Sequence, residues 1–478
     1  MKRKGQTLVM VTVLSFIAIL FITGLASWAT ASRKVSEKVV SGEKTFQLAE
    51  AGIEYYRWHL AHARQDYQDG QTWCCSNPPC GEWCGPYNHN YYDKDNNLIG
   101  QFSLRIKPPT IGSTIVTVQS EGKLSSESSM KRKIETRLVI PSLAKYAVAA
   151  NDKMRFGSGT EVFGPIHSND GIRFDGLAHN IVTSAKSQYD DPDHDGSEEF
   201  GVHTHLSPTD PLPPNSVPSR PDVFMAGRQF PVPAVDFAGI SGDLASIKAT
   251  AQQNDRYFAH SGYLGYRILL KTNDTFDLYR VTSLQPSPSR YCTASQDGWG
   301  TWSIQDQTFL QNYSFPANGL IFVEDNLWLE GQINTARLTI ASGRFPENPS
   351  THTSITVNND LKYTNYDGRD TLGLIAQKNF NVGLYSEDDL QIDAALIAKN
   401  GRAGRYYYNS YCGNYRNRTT ITLNGMIATN QRYGFAYTDG TGYQTRNLNY
   451  DVNLLYGPPP NFPLTSDQYS TISWQEIR

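Results

Sequence analysis

The chain contains no nucleophile elbow, no glycine-rich phosphate loop and no H-E-x-x-H pair, so common signatures of hydrolase, nucleotide and metalloprotease chemistry are missing. It also lacks an excess of one charge. Its 43 Lys and Arg face 46 Asp and Glu, a formal net charge of −3, which creates no global field to draw the molecule onto DNA. Nucleic acid is therefore not an expected partner. Cysteine is sparse, with six in 478 residues, the first at Cys74. Charge is absent altogether from Leu8 to Ala31.

That uncharged stretch is apolar and long enough for a membrane-spanning helix, which needs roughly 20 such residues. Lys2, Arg3 and Lys4 before it hold its start on the cytoplasmic side. A secretory signal has an apolar region of only about 7–15 residues, although Ala29-Thr30-Ala31 does offer an A-x-A cleavage site and keeps conventional secretion as an alternative. Beyond the stretch, Val35, Val39, Gly42, Phe46, Ala49, Ile53 and Tyr56 recur at spacings of four and three, the stripe of one amphipathic helix. Joined to the apolar segment, it predicts a helix from about Gln6 to His62. Such a helix is about 80 Å long, too long to belong to a compact domain.

Lys2-Arg3-Lys4-Gly5 ahead of an unbroken apolar helix, followed by Leu48-Ala49-Glu50-Ala51-Gly52-Ile53, resembles the N-terminus of PilX-type minor pilins. The resemblance covers residues 1 to about 60. It implies that a prepilin peptidase cuts after Gly5 and methylates the new amino terminus at Gln6. It also implies a precursor held in the inner membrane before assembly, with other pilin subunits as partners of the helix. Most pilins carry a glutamate at the fifth mature position, where this chain has Met10. A charge near a helix centre costs roughly 2.5–3.5 kcal/mol to insert; in pilins the neighbouring subunit's amino terminus offsets it, and Met10 cannot make that pair. Some minor pilins that resemble tip subunits lack the glutamate too, so the departure disfavours a major pilin more than it disfavours the family.

On an exported chain an even cysteine count suggests disulfides. Cys74-Cys75-x4-Cys80-x3-Cys84 lies among Trp73, Pro78, Pro79, Gly81, Trp83 and Gly85, a loop with little core, which two local bridges would staple. A four-thiolate zinc site is the alternative, but adjacent Cys74 and Cys75 do not give the C-x2-C knuckle. Cys292 and Cys412 remain as a long-range pair. From Leu98 to Ile140 apolar residues alternate, as in Phe102–Ile106, Thr114–Val118 and Ile134–Ile140. This is the pattern of a small antiparallel sheet on a helix. Met130-Lys131-Arg132-Lys133 reads as a solvated hairpin edge.

Beyond residue 145 one motif recurs: Gly373-Leu374-Ile375-Ala376-Gln377-Lys378-Asn379, Ala395-Leu396-Ile397-Ala398-Lys399-Asn400 and Gly425-Met426-Ile427-Ala428-Thr429-Asn430. Gly164–Asn169 and Leu338–Ser342 are more distant copies. The copies at Gly373 and Ala395 lie 22 residues apart, and such a spacing, with insertions, suits coils of a right-handed parallel β-solenoid, with inward Ile and Leu in a continuous stack and Asn at left-handed coil corners. Together with Ile472–Ile477, these coils resemble the β-solenoid domains of uncharacterised function found behind PilX-like N-termini. The expected fold is mainly β: a leader at 1–5, a helix at 6–65 that is transmembrane at its start, a pilin-like α+β head at 66–144, and a right-handed parallel β-solenoid at 145–478. Insertions are expected at about 180–310 and 401–418.

Candidate chemistry lies in the interruptions. Asp191-Pro192-Asp193-His194-Asp195-Gly196 places carboxylates at alternate positions before a glycine, the front half of an EF-type calcium loop, but Val202 stands at the twelfth position. Calcium is the one cofactor this suggests, against a plain acidic turn. His203-x-His205 could add zinc. The run Pro208–Pro233 is expected to wrap the solenoid. Asp388, Asp389 and Asp393 are the nearest approach to the converging carboxylates of a β-helical glycosidase or lyase, and no catalytic residue is assigned. Tyr406, Tyr407, Tyr408 and Tyr411 concentrate aromatics suited to a surface glycan or a host or cell-surface protein, or fold back over the coils. The expected role is a non-catalytic minor subunit of a type IV pilus or pseudopilus, membrane-inserted as a precursor and then extracellular. The alternative is a membrane-anchored surface adhesin outside any filament.

Overall fold

The computed structural model describes all residues except 1–3, 75–81, 128, 195, 238–239, 255, 466–467 and 478. The chain forms two units, one of Met1–Pro108, Ile115–Val139 and Asp467–Arg478, the other of Pro109–Thr114 and Ile140–Ser466.

In the first unit, helix α1 runs over Lys4–His62, 59 residues, close to the expected span. Its stripe changes character part-way. Val35 and Val39 are exposed, whereas Gly42, Ala49, Ile53 and Tyr56 are buried and Phe46 is half-buried. The second half lies on an antiparallel sheet of strands β1 (Cys84–Tyr92), β2 (Leu98–Lys107), β3 (Val116–Leu124) and β4 (Lys131–Val139), extended by Ser470–Ile477. Strict alternation along β3 turns Val116, Val118, Ser120, Gly122 and Leu124 inward, where Leu104, Ile106, Ile134 and Leu138 complete the core. Close approach needs glycine on both sides: a Cβ on Gly122 would stand 2.7 Å from the Ala49 backbone nitrogen, and one on Gly52 2.9 Å from the Phe102 ring.

Two expectations need correction. Ser470–Ile477 belongs to this sheet, not to the solenoid: Trp474 pairs with Thr136 and Glu476 with Ile134, and the Trp474 ring meets Phe46 edge-on at 5.6 Å. The basic strand β4 is consequently no edge. It is paired on both sides, and Arg132 and Lys131 are neutralised by Glu476 and Glu121.

The second unit is a stack of short parallel strands in three columns, so the expected solenoid architecture is present. One column runs through Tyr257–Phe258, Leu320–Val323, Arg337–Ser342, Thr371–Ala376, the ends of Asp389–Ala398 and Asn417–Thr429, then Val148–Ala150, Ile166–Ser168, Val182–Ser184 and Arg228–Gln229. The chain therefore enters its own stack in the middle, and its first coils continue from its last. Ile321, Ile340, Leu374, Leu396, Ile427, Val148, Ile166 and Val182 lie one above another in the interior. The opposite face of this column is apolar as well. Phe322, Ala341, Ile375, Ile397 and Ala428 share a second apolar cluster with Phe237, Leu454 and Phe462 and with Leu244, Ile247 and Ala251 of helix α2 (Ile240–Gln253), which packs on Leu320–Val323.

All the motif copies occupy this column, but not in one register. Met426, not Gly425, stands opposite Ala395, so Ile427 points inward where Ile375 and Ile397 point outward; a one-residue slip exchanges the two faces. The terminal asparagines are not left-handed either: positive φ among non-glycine residues is confined to Asp69, Asn96, Asp274, Trp302, Thr335 and Asn461 among the described residues. They form a ladder instead. Asn169 Nδ2 donates to Asn151 Oδ1 at 2.8 Å, Asn151 Nδ2 to Asn430 Oδ1 at 3.0 Å, and Asn400 Nδ2 to the Gln377 carbonyl at 2.9 Å.

The supposed insertion at 180–310 contains Val182–Ser184, Val202–His203, Arg228–Gln229, Tyr257–Phe258 and Gly265–Lys271, all paired with solenoid strands. Departures from the coils include the hairpin of Gln188–Asp190 and Glu198–Phe200, α2, and the antiparallel ribbon of Thr275–Leu284 and Ile304–Ser314.

Replacement of Gly122 by valine should destabilise the first unit by about 1–3 kcal/mol, because the nearest obstacles are helix backbone atoms that cannot swing aside. Limited proteolysis and thermal melting of the variant would register the loss; unchanged melting would mean that the helix is not held at this distance.

Candidate functional site

The most unusual surface of the protein is the first half of α1. Leu8, Val9, Met10, Leu14, Phe16, Ile19, Phe21, Ile22, Leu25 and Trp28 are all more than half exposed. The helix is long and apolar enough to cross a membrane, and its most apolar stretch is not buried within the protein. Its threonines are suited to such surroundings, since Thr12, Thr23 and Thr30 turn their hydroxyls onto the carbonyls of Leu8, Ile19 and Ala26 at 3.0, 2.9 and 2.9 Å. Each donor is thereby satisfied without water. Gly5 and Gln6 lie in the helix backbone. In the later motif Glu50 is exposed, Ala51 half-buried, and Ala49, Gly52 and Ile53 face the sheet.

Of the three carboxylates of the calcium reading, Asp191 and Asp193 turn to different partners. Asp193 makes ion pairs with Arg432 at 2.6 Å and Arg155 at 3.3 Å. Burial raises its pKa, but the two guanidiniums outweigh that and hold it below the ordinary carboxylate range. It lines a cleft of about 590 Å³ with Arg155, Arg402, Arg432, Arg446 and Tyr437, a concentration of positive charge. Asp191 turns elsewhere, toward His203 and Arg173. Asp195 lies outside the described residues. The candidate catalytic carboxylates do not converge either. Asp388 pairs with Arg418 at 2.7 Å, while buried Asp393 accepts from the Tyr363 N–H, the Tyr366 hydroxyl and Asn424 Nδ2 at 2.9, 2.7 and 2.7 Å, which makes it a coil-to-coil tie.

Disulfides join Cys74 to Cys84 and Cys292 to Cys412; Cys75 and Cys80 lie outside the described residues. With Cys74 and Cys84 bridged, a four-thiolate zinc site is excluded. The bridge from Cys292 to Cys412 spans 120 residues and contributes roughly 4–5 kcal/mol in the chain-entropy account.

The tyrosine segment is not wholly the insertion expected at 401–418, and two of its tyrosines fold back over the coils. Ala403–Arg405 is a strand of another column, paired with Phe380–Val382, and Tyr406 and Tyr408 are buried. Tyr407 is half-buried, donating to Asp439 at 2.8 Å, and Tyr411 is exposed. As a contact surface the four do not act together. Arg405, which the sequence reading missed, organises them. It is fully buried, donates to Ser386 Oγ and the Leu384 and Tyr415 carbonyls at 2.7, 3.1 and 2.6 Å, and lies 4.8 Å from the centre of the Tyr408 ring. Burial lowers its pKa to about 10, still charged at neutral pH. The signal was an arginine next to a run of tyrosines, the composition of a cation–π site.

No family model matches the chain, and no curated protein does. Among solved structures, the competence-associated pilin ComZ from Thermus thermophilus aligns over 91% of this chain and 98% of its own, with 14% identity and a TM-score of 0.30. A likeness of that order carries no argument about this protein.

Deleting Arg402 to Asn417 should therefore abolish cooperative melting of the second unit. The single change Arg405→Ala should cost about 3 kcal/mol or more, since it strands several buried carbonyls. Calorimetry of the detergent-solubilised chain tests both, and a melting temperature unaffected by Arg405→Ala would show that the loop is held by the disulfide alone.

Proposed function

We propose that this chain is a minor subunit of a type IV pilus or a related pseudopilus, located at the filament tip. The observation that carries the proposal is the division of α1: the stretch from Leu8 to Trp28 exposes a continuous apolar surface with Thr12 and Thr23 bonded internally, while the later half is fixed to an antiparallel sheet. A helix of this kind has one use before assembly, as a membrane anchor, and another after it, as packing surface for the helices of other subunits. The basic leader and the motif from Ala49 to Ile53 support the same reading through their resemblance to PilX-type N-termini. Met10 removes the charge that most pilins place in this helix, which favours a position where no subunit follows. The second unit is displayed outside and serves assembly or adhesion without catalysis, binding a surface glycan or a protein.

Processing tests the reading. The mature chain should begin at Gln6, N-methylated, by mass spectrometry, and Gly5→Val should leave the leader attached. The mature protein should then be recovered with sheared filaments. Recovery from the membrane fraction alone would favour an anchored adhesin, and a mature terminus at Ser32 would establish conventional secretion.

A further inference from the structure

The last strand of one solenoid column, Val202–His203, lies beside Ile172–Phe174 and presents Val202 to the interior. His203 therefore points away from the core, yet it is not solvated. The hairpin of Gln188–Asp190 and Glu198–Phe200 covers it, with the Tyr189 ring 5.5 Å away, and His203 is fully buried. Neither of its ring nitrogens has a hydrogen-bond partner. An imidazole in this position has lost water at both nitrogens, which is costly for unmet polar groups.

The groups facing it explain what it is built for. Asp191, also buried, uses Oδ1 to accept the Asp193 N–H at 3.0 Å. Its Oδ2 has no hydrogen-bond partner and lies 3.5 Å from His203 Nε2. The His205 ring centre is 5.0 Å from that of His203. Ligand atoms of Asp191, His203 and His205 all lie within 4.8 Å of one another. Behind them the buried Glu199 carboxylate meets His205 Nε2 at 3.3 Å and His194 Nδ1 at 3.1 Å. Two buried carboxylates thus face three imidazoles. Arg173, 3.6 Å from Asp191, is itself paired with Asp175 at 2.7 Å, so it does not balance them.

We infer that Asp191, His203 and His205 hold a divalent transition-metal ion of the zinc class, with Glu199 orienting His205. Two imidazoles and a carboxylate are the ligand types that zinc takes, at about 2.0–2.2 Å; closing around an ion draws the three atoms in by about an ångström. A carboxylate on the far side of a metal-bound histidine is the usual orienting partner. The ion cross-links the terminal strand, through His203 and His205, to the hairpin end that carries Asp191, and so closes this end of the column. Hard, oxygen-seeking calcium would not choose this imidazole-rich set.

The test uses the detergent-solubilised full chain, stripped with chelator and titrated with zinc chloride. One equivalent should be retained through desalting, and the melting temperature should rise with added zinc. His203→Ala and Asp191→Asn should each abolish retention, Glu199→Gln should weaken it roughly 10–100-fold, and His194→Ala should leave it unchanged. Circular dichroism of the near-isosteric Asp191→Asn separates lost binding from lost folding. A stripped wild type that takes up no zinc at micromolar concentration overturns the inference. So does normal retention by a folded Asp191→Asn variant, as does loss confined to His194→Ala and Glu199→Gln. None of these outcomes bears on filament assembly, which rests on α1.

Discussion

Parallel strands separated by about 4.8 Å place like positions directly above one another, and everything in the second unit depends on that constraint. No single coil has enough apolar surface to be stable; each buries its inward residue only between the coil below and the coil above. The stack from Ile321 to Val182 is the outcome. It explains why small residues such as Ala376 and Ala398 alternate with Leu374 and Leu396 inside, since three columns converge on a narrow interior. The same repetition lets polar groups pair between coils, as the ladder of Asn430, Asn151 and Asn169 does.

Entry into the middle of the stack has a thermodynamic consequence. Val148–Ala150 pairs with Ile427–Thr429, so the coils nearest the start of the unit cannot be completed until those nearest its end have formed. Long-range pairing of this kind incurs loop-closure entropy before it gains burial. It also makes the unit behave cooperatively, unlike a solenoid built in chain order. The first unit repeats the device: β4 gains its outer neighbour from Ser470–Ile477, and the whole solenoid lies in sequence between two adjacent strands of one sheet.

Buried polar groups mark where the chain departs from a simple stack. Asp393 has several hydrogen-bond partners, as do the two terminal nitrogens of Arg405, whose Nε alone lacks one, and both residues tie segments together. His203 and the free oxygen of Asp191 are the contrast, because both are buried and unsatisfied. A protein that supplies several partners for Asp393 and none for His203 has treated them differently, and an ion accounts for the difference.

Local periodicity made much of the fold legible. Leu8–Ala31 and the stripe from Gly42 to Tyr56 declare a long helix with one wet or lipid-facing half. Phe102–Ile106 and Ile134–Ile140 declare strands, and the Ile-Ala motifs declare coils, because a period of 3.6 or 2 and the burial it implies are written within a few residues. Partner choice is not written there. Which face Ile427 presents, that Glu476 closes the edge beside Arg132, that Arg405 is interior, and that His203 and His205 meet Asp191 under the hairpin were decided by tertiary structure. Each depends on the register that maximises burial summed over the whole stack, and a shift of one residue, invisible in a short window, exchanges inside for outside.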